Sequence, residues 1–582
     1  MARGISTYRP PIRGTTHMIS AGHSLAAAAG YRILEDGGNA IDAGVASGIV
    51  INTVLPENTS FGGVVPIMIY DAAADSVVTI SGLGRWPRKA SAGFFLDQAG
   101  GEIPVGILRS IVPAAVDGWL TALERYGTMT FEQVVTPALE LAEQGLPFPA
   151  TVHRALRTDL DSDDGVLRRW PSSSAVFLPG GRLPEVGKRF LQPELARTFT
   201  RLVGAERASS SPGREAGIRA ARDLFYRGEI AEEMARFSEQ QGGLITYEDL
   251  AEFSVKVEPP VTASFKDYEI FTCGPWCQGP VVAQVLQMLE HDDLPALGHN
   301  SPEYIHLLSQ ALGLAFADRH QYYGDPDLVD VPIDALLSNV YTRARRAAID
   351  PSRAFAEMPP AGDLSNGGNT LDAAATVAAP PVVGEQEYDT SYTCVVDRWG
   401  NAFSATPSDA LFHTPIVPGL GIIMSGRGSQ SWLEPDHASR VEPWKRPRLT
   451  PNPSMAFRDG KLFMPFGCPG GDAQPQAMVQ LFLNIVEFGM DAQQAIEAPR
   501  FTSSNFPNSF WPHTYLPGRL NIEGRIPPEV RDDLAGRGHD VAVRNDWEPM
   551  SMGVLSAIVV DHESGVLTGG ADPRRDTYAI GR

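Results

Sequence analysis

A stretch rich in Pro, Gly and Ala, residues 351–387, stops just before a predicted β-hairpin, and this junction constrains the fold of the chain more than any other feature. The stretch has runs such as Met-Pro-Pro-Ala-Gly and no sustained hydrophobic period, which is typical of a mobile connector. The β-formers Tyr392 to Val396 follow it, and a second run extends from Ala402 to Ser408 after a short turn. We therefore predict an antiparallel hairpin directly after the connector.

The register of this hairpin follows from its turn, which contains Gly400. Centring the loop on Trp399 pairs Asp397 with Asn401 and, further along, Thr390 with Ser408. Directly opposed residues of an antiparallel pair have Cβ atoms about 5 Å apart on one face of the sheet. The hydroxyls of Thr390 and Ser408 are therefore expected within hydrogen-bonding distance.

Thr390 is also a candidate nucleophile. If the chain were cut between Asp389 and Thr390, this residue would carry both a hydroxyl and a free α-amine. A hydroxyl needs a neighbouring base, and an N-terminal amine with a pKa of about 8 is such a base. Taken alone, Asp-Thr-Ser is more often the ordinary polar start of a strand than a catalytic motif.

A second segment with candidate catalytic residues spans Phe466 to Asp472, between a predicted strand and a predicted helix. Gly470 and Gly471 expose backbone N–H groups there, and the start of the following helix adds positive potential. This combination can hold a developing oxyanion, although a flexible strand-to-helix turn would have the same sequence. Nucleophile, base, supporting hydroxyl and anion hole together are the elements of acyl transfer.

Composition excludes several classes of function. The formal net charge of −21 over 582 residues argues against non-specific binding to nucleic acid or to anionic membranes. Four cysteines do not make a disulfide scaffold, and no second Cys or His pair accompanies Cys273 and Cys277 at zinc-finger spacing. The scattered histidines, His413 and His437 among them, are expected to be surface or core residues. We expect no metal and no cofactor.

The start of the chain has arginines but no apolar segment typical of a signal peptide. The apolar stretch around Gly48 to Leu55 is too short to span a bilayer. We therefore expect a cytoplasmic protein with no membrane partner.

Hydrophobic periodicity predicts helices early in the chain and more strands late in it, which favours layered α+β packing over a parallel dinucleotide-binding fold. Ser24 is the expected N-cap of the first helix, which should stop at Gly37-Gly38. Residues 205–218 contain Ser209-Ser210-Ser211-Pro212-Gly213 and are expected to form a surface loop or a disordered insert. The main predicted helices cover 24–36, 40–54, 114–126, 131–145, 230–238, 279–290, 302–320 and 474–487, and the main strands 64–70, 76–80, 455–457, 462–465 and 555–561.

Ordered motifs along nearly the whole chain resemble the γ-glutamyltranspeptidase family of N-terminal-nucleophile hydrolases. They are Gly37-Gly38-Asn39-Ala40-Ile41-Asp42-Ala43, Phe61-Gly62-Gly63, Ser110-Ile111-Val112-Pro113 with Asp117-Gly118, Ala317-Asp318-Arg319, Gly324-Asp325-Pro326, Lys445-Arg446-Pro447, Cys468-Pro469-Gly470-Gly471 and Ala571-Asp572-Pro573-Arg574-Arg575-Asp576. The resemblance implies an αββα sandwich and self-cleavage between Asp389 and Thr390. It divides the precursor into a large subunit, 1–389, with 351–389 as its connector, and a small subunit, 390–582. It also implies Thr390 as nucleophile, Ser408 at the position of a helper threonine, and an oxyanion hole at Gly470 and Gly471.

The departures from the family pattern concern the residues that bind the glutamyl group. Leu83 falls at the position of the arginine that binds the α-carboxylate, and a leucine cannot replace a bidentate guanidinium. Gln430 matches the acidic residue expected at the α-amino group, and Leu449 and Thr450 match a pair of serines. The candidate substrate-binding residues are therefore Arg85, Arg427, Gln430 and Thr450.

Two further departures bear on the branch of the family and on self-cleavage. Gly84–Pro87 and Arg427-Gly428 resemble the acylase-like branch. Ser391 and Tyr392 follow the nucleophile where typical members have threonine and histidine.

The expected function is thus that of an autoprocessed amide hydrolase or acyltransferase, made as a zymogen, that acts on a small molecule and is not specific for γ-glutamyl groups. Two alternatives remain open from the sequence. One is a hydrolase of a C–C bond beside a carbonyl in an antibiotic biosynthetic pathway. The other is a scaffold or partner-binding protein that does not cleave itself.

Overall fold

The structure is a computed structural model that describes residues 7–211, 213–366, 389–549 and 551–582. Its strands are β1 (Ile12–Gly14), β2 (Met18–Ala21), β3 (Val65–Asp71), β4 (Ser76–Gly82), β5 (Leu146–Pro147), β6 (Arg189–Phe190), β7 (Val257–Glu258), β8 (Val261–Phe265), β9 (Tyr268–Thr272), β10 (Thr393–Val396), β11 (Ala402–Ala405), β12 (Ile416–Val417), β13 (Ile422–Ile423), β14 (Ser454–Arg458), β15 (Lys461–Gly467), β16 (Phe501–Ser503), β17 (Arg519–Glu523), β18 (Asp540–Arg544), β19 (Ser556–Asp561), β20 (Val566–Ala571) and β21 (Tyr578–Gly581).

The α-helices are α1 (Ser24–Glu35), α2 (Ala40–Val54), α3 (Ala92–Gln98), α4 (Ala115–Tyr126), α5 (Phe131–Gln144), α6 (Ala150–Asp161), α7 (Pro171–Phe177), α8 (Pro193–Ser209), α9 (Arg214–Tyr226), α10 (Glu229–Gln240), α11 (Tyr247–Ala251), α12 (Pro280–Leu289), α13 (Leu294–Leu297), α14 (Pro302–Tyr322), α15 (Ile333–Leu336), α16 (Asn339–Ala347), α17 (Ala473–Val486), α18 (Ala492–Glu497) and α19 (Pro528–Gly536). None of the helices in these described ranges is long and apolar enough to cross a bilayer.

Two seven-stranded antiparallel sheets face each other in the centre of the molecule. Their strand orders are β1-β20-β19-β15-β14-β9-β8 and β21-β2-β10-β11-β3-β4-β7. Strand β10 shows how they pack, because successive side chains of a strand point to opposite faces. Cys394 and Val396 lie in the apolar cluster between the sheets, and Val395 lies in the cluster shared with the helices of the outer layer.

Helices cover the outer face of each sheet. Helix α2 is mainly apolar and buried along its whole length, as expected for a helix enclosed between a sheet and other helices. Helices α12, α14 and α17 supply most of the apolar residues that cover the other sheet. The structure is therefore α+β with helices, two sheets and helices in successive layers, and it confirms the predicted αββα arrangement.

The predicted hairpin and its register are confirmed. Thr393 lies opposite Ala405 and Val396 opposite Ala402, in the register obtained by centring the loop on Trp399. The alignment continues beyond the regular strands, where the Ser391 N–H donates to the Pro407 carbonyl over 2.9 Å. Thr390 and Ser408 are the next pair.

Two local predictions were wrong. Ser24 is the first residue of α1, and the N-cap is His23, whose Nδ1 accepts a hydrogen bond from the Leu25 N–H. Residues 205–218 belong mainly to α8 and α9 and do not form a long loop. Most of their polar residues are at least partly exposed, but Glu206 is buried, as is the apolar Ile218.

The predicted mobile connector falls largely outside the described residues, because 367–388 are not among them. Its described part, 351–366, contains one 3-10 turn, Leu364–Asn366.

Candidate active site

Thr390 lies at one end of the space between the sheets, fully buried, with its backbone in an unusual conformation. Its φ is 101°, a region that β-branched residues rarely adopt and that costs about 1–3 kcal/mol. Its N–H donates to the carbonyl of Asn58 over 2.9 Å. The surrounding structure therefore holds the backbone of Thr390, directly after the predicted cleavage point, in a strained conformation.

The Thr390 hydroxyl takes part in a compact buried network. Thr390 Oγ1 lies 2.6 Å from Ser408 Oγ and 3.3 Å from Asp389 Oδ1. Arg427 Nη2 donates to Asp389 Oδ2 over 2.6 Å and also to Ser408 Oγ. Three of the residues predicted from sequence, Thr390, Ser408 and Arg427, are thus brought together with the residue before the predicted cleavage point.

Asp409 fixes the geometry of this network. It is buried, with φ of 111°, and its Oδ1 accepts hydrogen bonds from the Gly426 N–H at 3.0 Å and His413 Nδ1 at 3.1 Å. Its Oδ2 accepts from Ser425 Oγ. These bonds connect the loop that carries Ser408 to the 3-10 helix Arg427–Gln430 that carries Arg427.

Gly470 and Gly471, the predicted anion hole, lie in a turn whose backbone favours glycine. Their φ values are 125° and 54°, in the left-handed region that favours glycine. A Cβ on Gly470 would lie 3.0 Å from the Cα of Gly553. Among the described residues neither glycine N–H donates a hydrogen bond, so both donors remain available to an oxyanion.

Arg319, from the Ala317-Asp318-Arg319 motif, supports the turn that contains Gly470 and Gly471. Its fully buried guanidinium donates to Gln278 Oε1 over 2.8 Å and to the carboxylate of Asp472. Gln278 in turn donates to the carbonyls of Gly471 and Thr450, over 2.8 and 2.9 Å. The turn is therefore held by residues from α14 and from the loop before α12.

The remaining predicted substrate residues lie in two different settings. Gln430 and Thr450 are buried partners, with Gln430 Nε2 donating to Thr450 Oγ1 over 2.8 Å. Because Gln278 also contacts Thr450, this pair adjoins the Gly471 turn. Arg85 instead donates to Asp325 over 3.1 Å and to Asp327, in an ion-pair network shared with Arg446. Its role in substrate binding stays a prediction.

Sequence reasoning missed several residues of the site. His413 is not simply a surface or core residue, because its Nδ1 lies 3.6 Å from Asp389 Oδ2 as well as 3.1 Å from Asp409 Oδ1. The Asn58 carbonyl accepts from the Thr390 N–H, and Asn58 Oδ1 accepts from Arg575 over 3.2 Å, which connects the C-terminal motif to Thr390. The only available signal was position in the sequence, since Asn58 lies four residues after the end of α2 and His413 lies five residues after Ser408.

One small cavity is lined by Thr390, and a larger cleft is lined by the preceding residue, Asp389. A cavity of ≈ 20 Å³, room for about one water, is lined by Thr390, Asn58 and Pro469 among others. A cleft of ≈ 590 Å³, a size typical of small-molecule sites, is lined by Asp389, His413, Glu57 and Arg575 among others. Within the described ranges, no group of His, Cys, Asp and Glu has the arrangement of a metal site.

Glu57, in the wall of this cleft, is expected to make stability depend on pH. Burial raises the pKa of Glu57 to about 7, although the Thr151 hydroxyl and Arg575 oppose the shift. In the unfolded chain Glu57 has its ordinary pKa of 4.5. The free energy of unfolding therefore falls as pH rises from about 4.5 to about 7, because the unfolded state loses its proton first. Glu57→Gln removes this loss and should raise the free energy of unfolding at pH 8 by up to about 3 kcal/mol, with little change at pH 4.5.

Urea unfolding at both pH values, in a Thr390→Ala background that keeps one covalent chain, measures this difference. Exposed Glu529→Gln is the matched control and should show no such pH dependence. Equal effects of Glu57→Gln at the two pH values would contradict the prediction.

Comparisons with known proteins match this chain along nearly its whole length. A family model described as Gamma-glutamyltranspeptidase matches residues 26–582. The chain is 31% identical to the Glutathione hydrolase proenzyme of Bacillus subtilis (98% of this chain, 92% of the relative) and 32% identical to the Acylase ACY 1 proenzyme of Pseudomonas sp. strain SE83 (98% and 94%).

Two solved structures cover nearly the whole chain. The structure of LmbA2991HD superimposes with a TM-score of 0.91 at 36% identity, covering 99% of this chain and 100% of the other. The cephalosporin acylase from Bacillus halodurans superimposes with a TM-score of 0.85 at 26% identity, covering 100% and 98%.

Proposed function

The chain belongs to the gamma-glutamyltranspeptidase family of amidohydrolase proenzymes, and we propose that it cleaves itself before Thr390 and then hydrolyses an amide through an ester on that residue. The observation that carries the proposal is the 2.6 Å contact of Thr390 Oγ1 with Ser408 Oγ, at a residue whose φ of 101° is strained.

Self-cleavage begins with attack of Thr390 Oγ1 on the carbonyl carbon of Asp389. The C–N bond between the two residues breaks, and the nitrogen takes up the proton that Oγ1 releases through Ser408. Water then hydrolyses the ester, so that Asp389 leaves as a carboxylate and Thr390 keeps its hydroxyl. The strained φ of Thr390 favours this step because it raises the energy of the intact peptide.

In the cleaved enzyme the free α-amine of Thr390 is the general base for its own hydroxyl. Attack on a substrate amide gives a tetrahedral oxyanion, for which the N–H groups of Gly470 and Gly471 are the donors. The amine product leaves, and water or an acceptor amine releases the acyl group.

The residues around the site support a substrate other than a γ-glutamyl compound. Leu83 is 1% exposed in an apolar cluster, where it offers no donor to an α-carboxylate. Gln430 and Thr450 form hydrogen bonds with each other. Neither carries the negative charge that an α-ammonium group prefers.

Intact mass and an anilide assay test the proposal. Purified protein should separate into chains of 1–389 and 390–582 and release p-nitroaniline from simple acyl anilides faster than from γ-glutamyl anilide. A single stable species of 62.8 kDa would contradict self-cleavage. Preferential turnover of the γ-glutamyl compound would contradict the substrate assignment.

A further inference from the structure

The Asp389 side chain occupies a buried, cationic pocket in the uncleaved chain. Its Oδ2 accepts from Arg427 Nη2 at 2.6 Å and from the Ala410 N–H at 3.1 Å, and lies 3.6 Å from His413 Nδ1. Burial alone would raise the pKa of Asp389, but Arg427 and His413 outweigh it and lower the pKa. The pocket is thus built to hold a carboxylate.

Self-cleavage makes Asp389 the first acyl group that the site processes. When Oγ1 bonds to the Asp389 carbonyl carbon and the C–N bond breaks, the product is an ester on Thr390. This ester has the same covalent linkage as the acyl-enzyme of a substrate amide. Its hydrolysis frees the pocket that held the Asp389 carboxylate.

The release of Asp389 leaves Arg427 without its counter-ion. Within the described ranges, Arg427 forms its ion pair with Asp389, and the Arg427 side chain is fully buried. Nε and Nη1 of Arg427 have no hydrogen-bond partner among the described residues. The nearby Asp409 carboxylate already accepts from Gly426, Ser425 and His413. A buried unpaired cation with free donors strongly favours a new anion.

We propose that this carboxylate pocket, formed by Arg427, the Ala410 N–H and His413, binds the far carboxylate of the substrate's acyl group in the cleaved enzyme. Two carbons separate the carboxylate carbon of Asp389 from its scissile carbonyl carbon, as in a succinyl group. The preferred substrates are therefore monoamides of short dicarboxylic acids, with succinyl length favoured. This inference rests on the proposed amide hydrolysis by Thr390.

Three anilides test the pocket in the self-cleaved enzyme: succinyl, glutaryl and butyryl p-nitroanilide. Butyryl has the length of succinyl without its charge. A charge-assisted hydrogen bond predicts a kcat/KM for succinyl about 10- to 150-fold above that for butyryl, with glutaryl between them. If hydrolysis depends on Thr390 but kcat/KM for the butyryl anilide equals or exceeds that for the succinyl anilide, the inference is overturned and the proposed function stays intact.

Calorimetry with free succinate tests the same pocket without turnover. Succinate should bind the self-cleaved enzyme and butyrate should not, while the uncleaved Thr390→Ala protein should bind neither because Asp389 fills its pocket. If no anilide is hydrolysed, the proposed function fails, and succinate binding still decides the inference. Absence of succinate binding, or equal binding to both proteins, would overturn it.

Arg427→Gln separates recognition from general structure. In variant protein that still cleaves itself, the ratio of succinyl to butyryl kcat/KM should fall toward one, whereas a purely structural defect lowers both equally. Exposed Arg458, paired with Asp267, gives the control Arg458→Gln, which should keep the wild-type ratio. If Arg427→Gln does not cleave, the wild-type anilide ratio and succinate calorimetry decide.

Discussion

Thr390→Ala is expected to abolish both self-cleavage and amide hydrolysis, with turnover reduced by roughly 10⁴-fold or more. The substitution removes Oγ1, the atom proposed to attack both the Asp389 carbonyl and the substrate. Neither Ser408 nor Asp389 supplies a replacement, because both act on the reaction through Oγ1. Intact mass after prolonged incubation measures cleavage, and release of p-nitroaniline measures turnover.

Thr390→Ser is the matched control, because it keeps the hydroxyl and removes only a methyl group. It should still cleave and turn over, more slowly, since loss of β-branching relaxes the strained backbone at φ of 101°. A Thr390→Ala chain that still divides before residue 390 would show that another group is the nucleophile. Failure of both variants would instead indicate a requirement for threonine's shape.

The hairpin could be predicted from sequence because its determinants are local. A short loop with glycine fixes the register, and β-formers on either side fix the strands. The 2.6 Å contact between Thr390 and Ser408 therefore followed from counting residues. The glycine turn at 470–471 could equally be predicted from sequence, since its strand, turn and helix are consecutive in the chain.

The surroundings of Thr390 could not be predicted in the same way, because they come from distant parts of the chain. Asn58 lies shortly after α2 and Arg575 near the C-terminus, yet they meet beside Thr390. Arg85 was predicted to bind substrate, but in the structure its guanidinium forms ion pairs with Asp325 and Asp327. Which partner a buried arginine selects depends on tertiary packing that no local pattern reveals.

Tyr392 shows why a departure from a family pattern need not affect the chemistry. It lies on the same face of its strand as Cys394, between the two sheets, and its hydroxyl is 2.6 Å from Ser404 Oγ. A Cβ on Gly467 would come within 2.2 Å of its ring, so the glycine provides the space that the larger side chain needs. The substitution is thus accommodated by the core behind Thr390.

The second large effect is expected at the buried Arg427–Asp389 pair, measured in the Thr390→Ala background so that Asp389 stays attached. Arg427 is fully buried and Asp389 is 4% exposed. Removing one partner leaves the other as an uncompensated buried charge, so Arg427→Gln should lower the free energy of unfolding by about 3–5 kcal/mol. Asp389→Asn should cost a similar amount, because it leaves the guanidinium unpaired.

The double variant Arg427→Gln/Asp389→Asn removes both charges and should cost less than the sum of the single changes, by about 3 kcal/mol. Urea unfolding of the four proteins gives this coupling energy. The exposed pair Arg458–Asp267 provides a control cycle, where solvent screening should keep the coupling below about 1 kcal/mol. Additive effects at Arg427 and Asp389 would mean that the guanidinium does not recognise the carboxylate, and the acyl pocket derived from their contact would lose its basis.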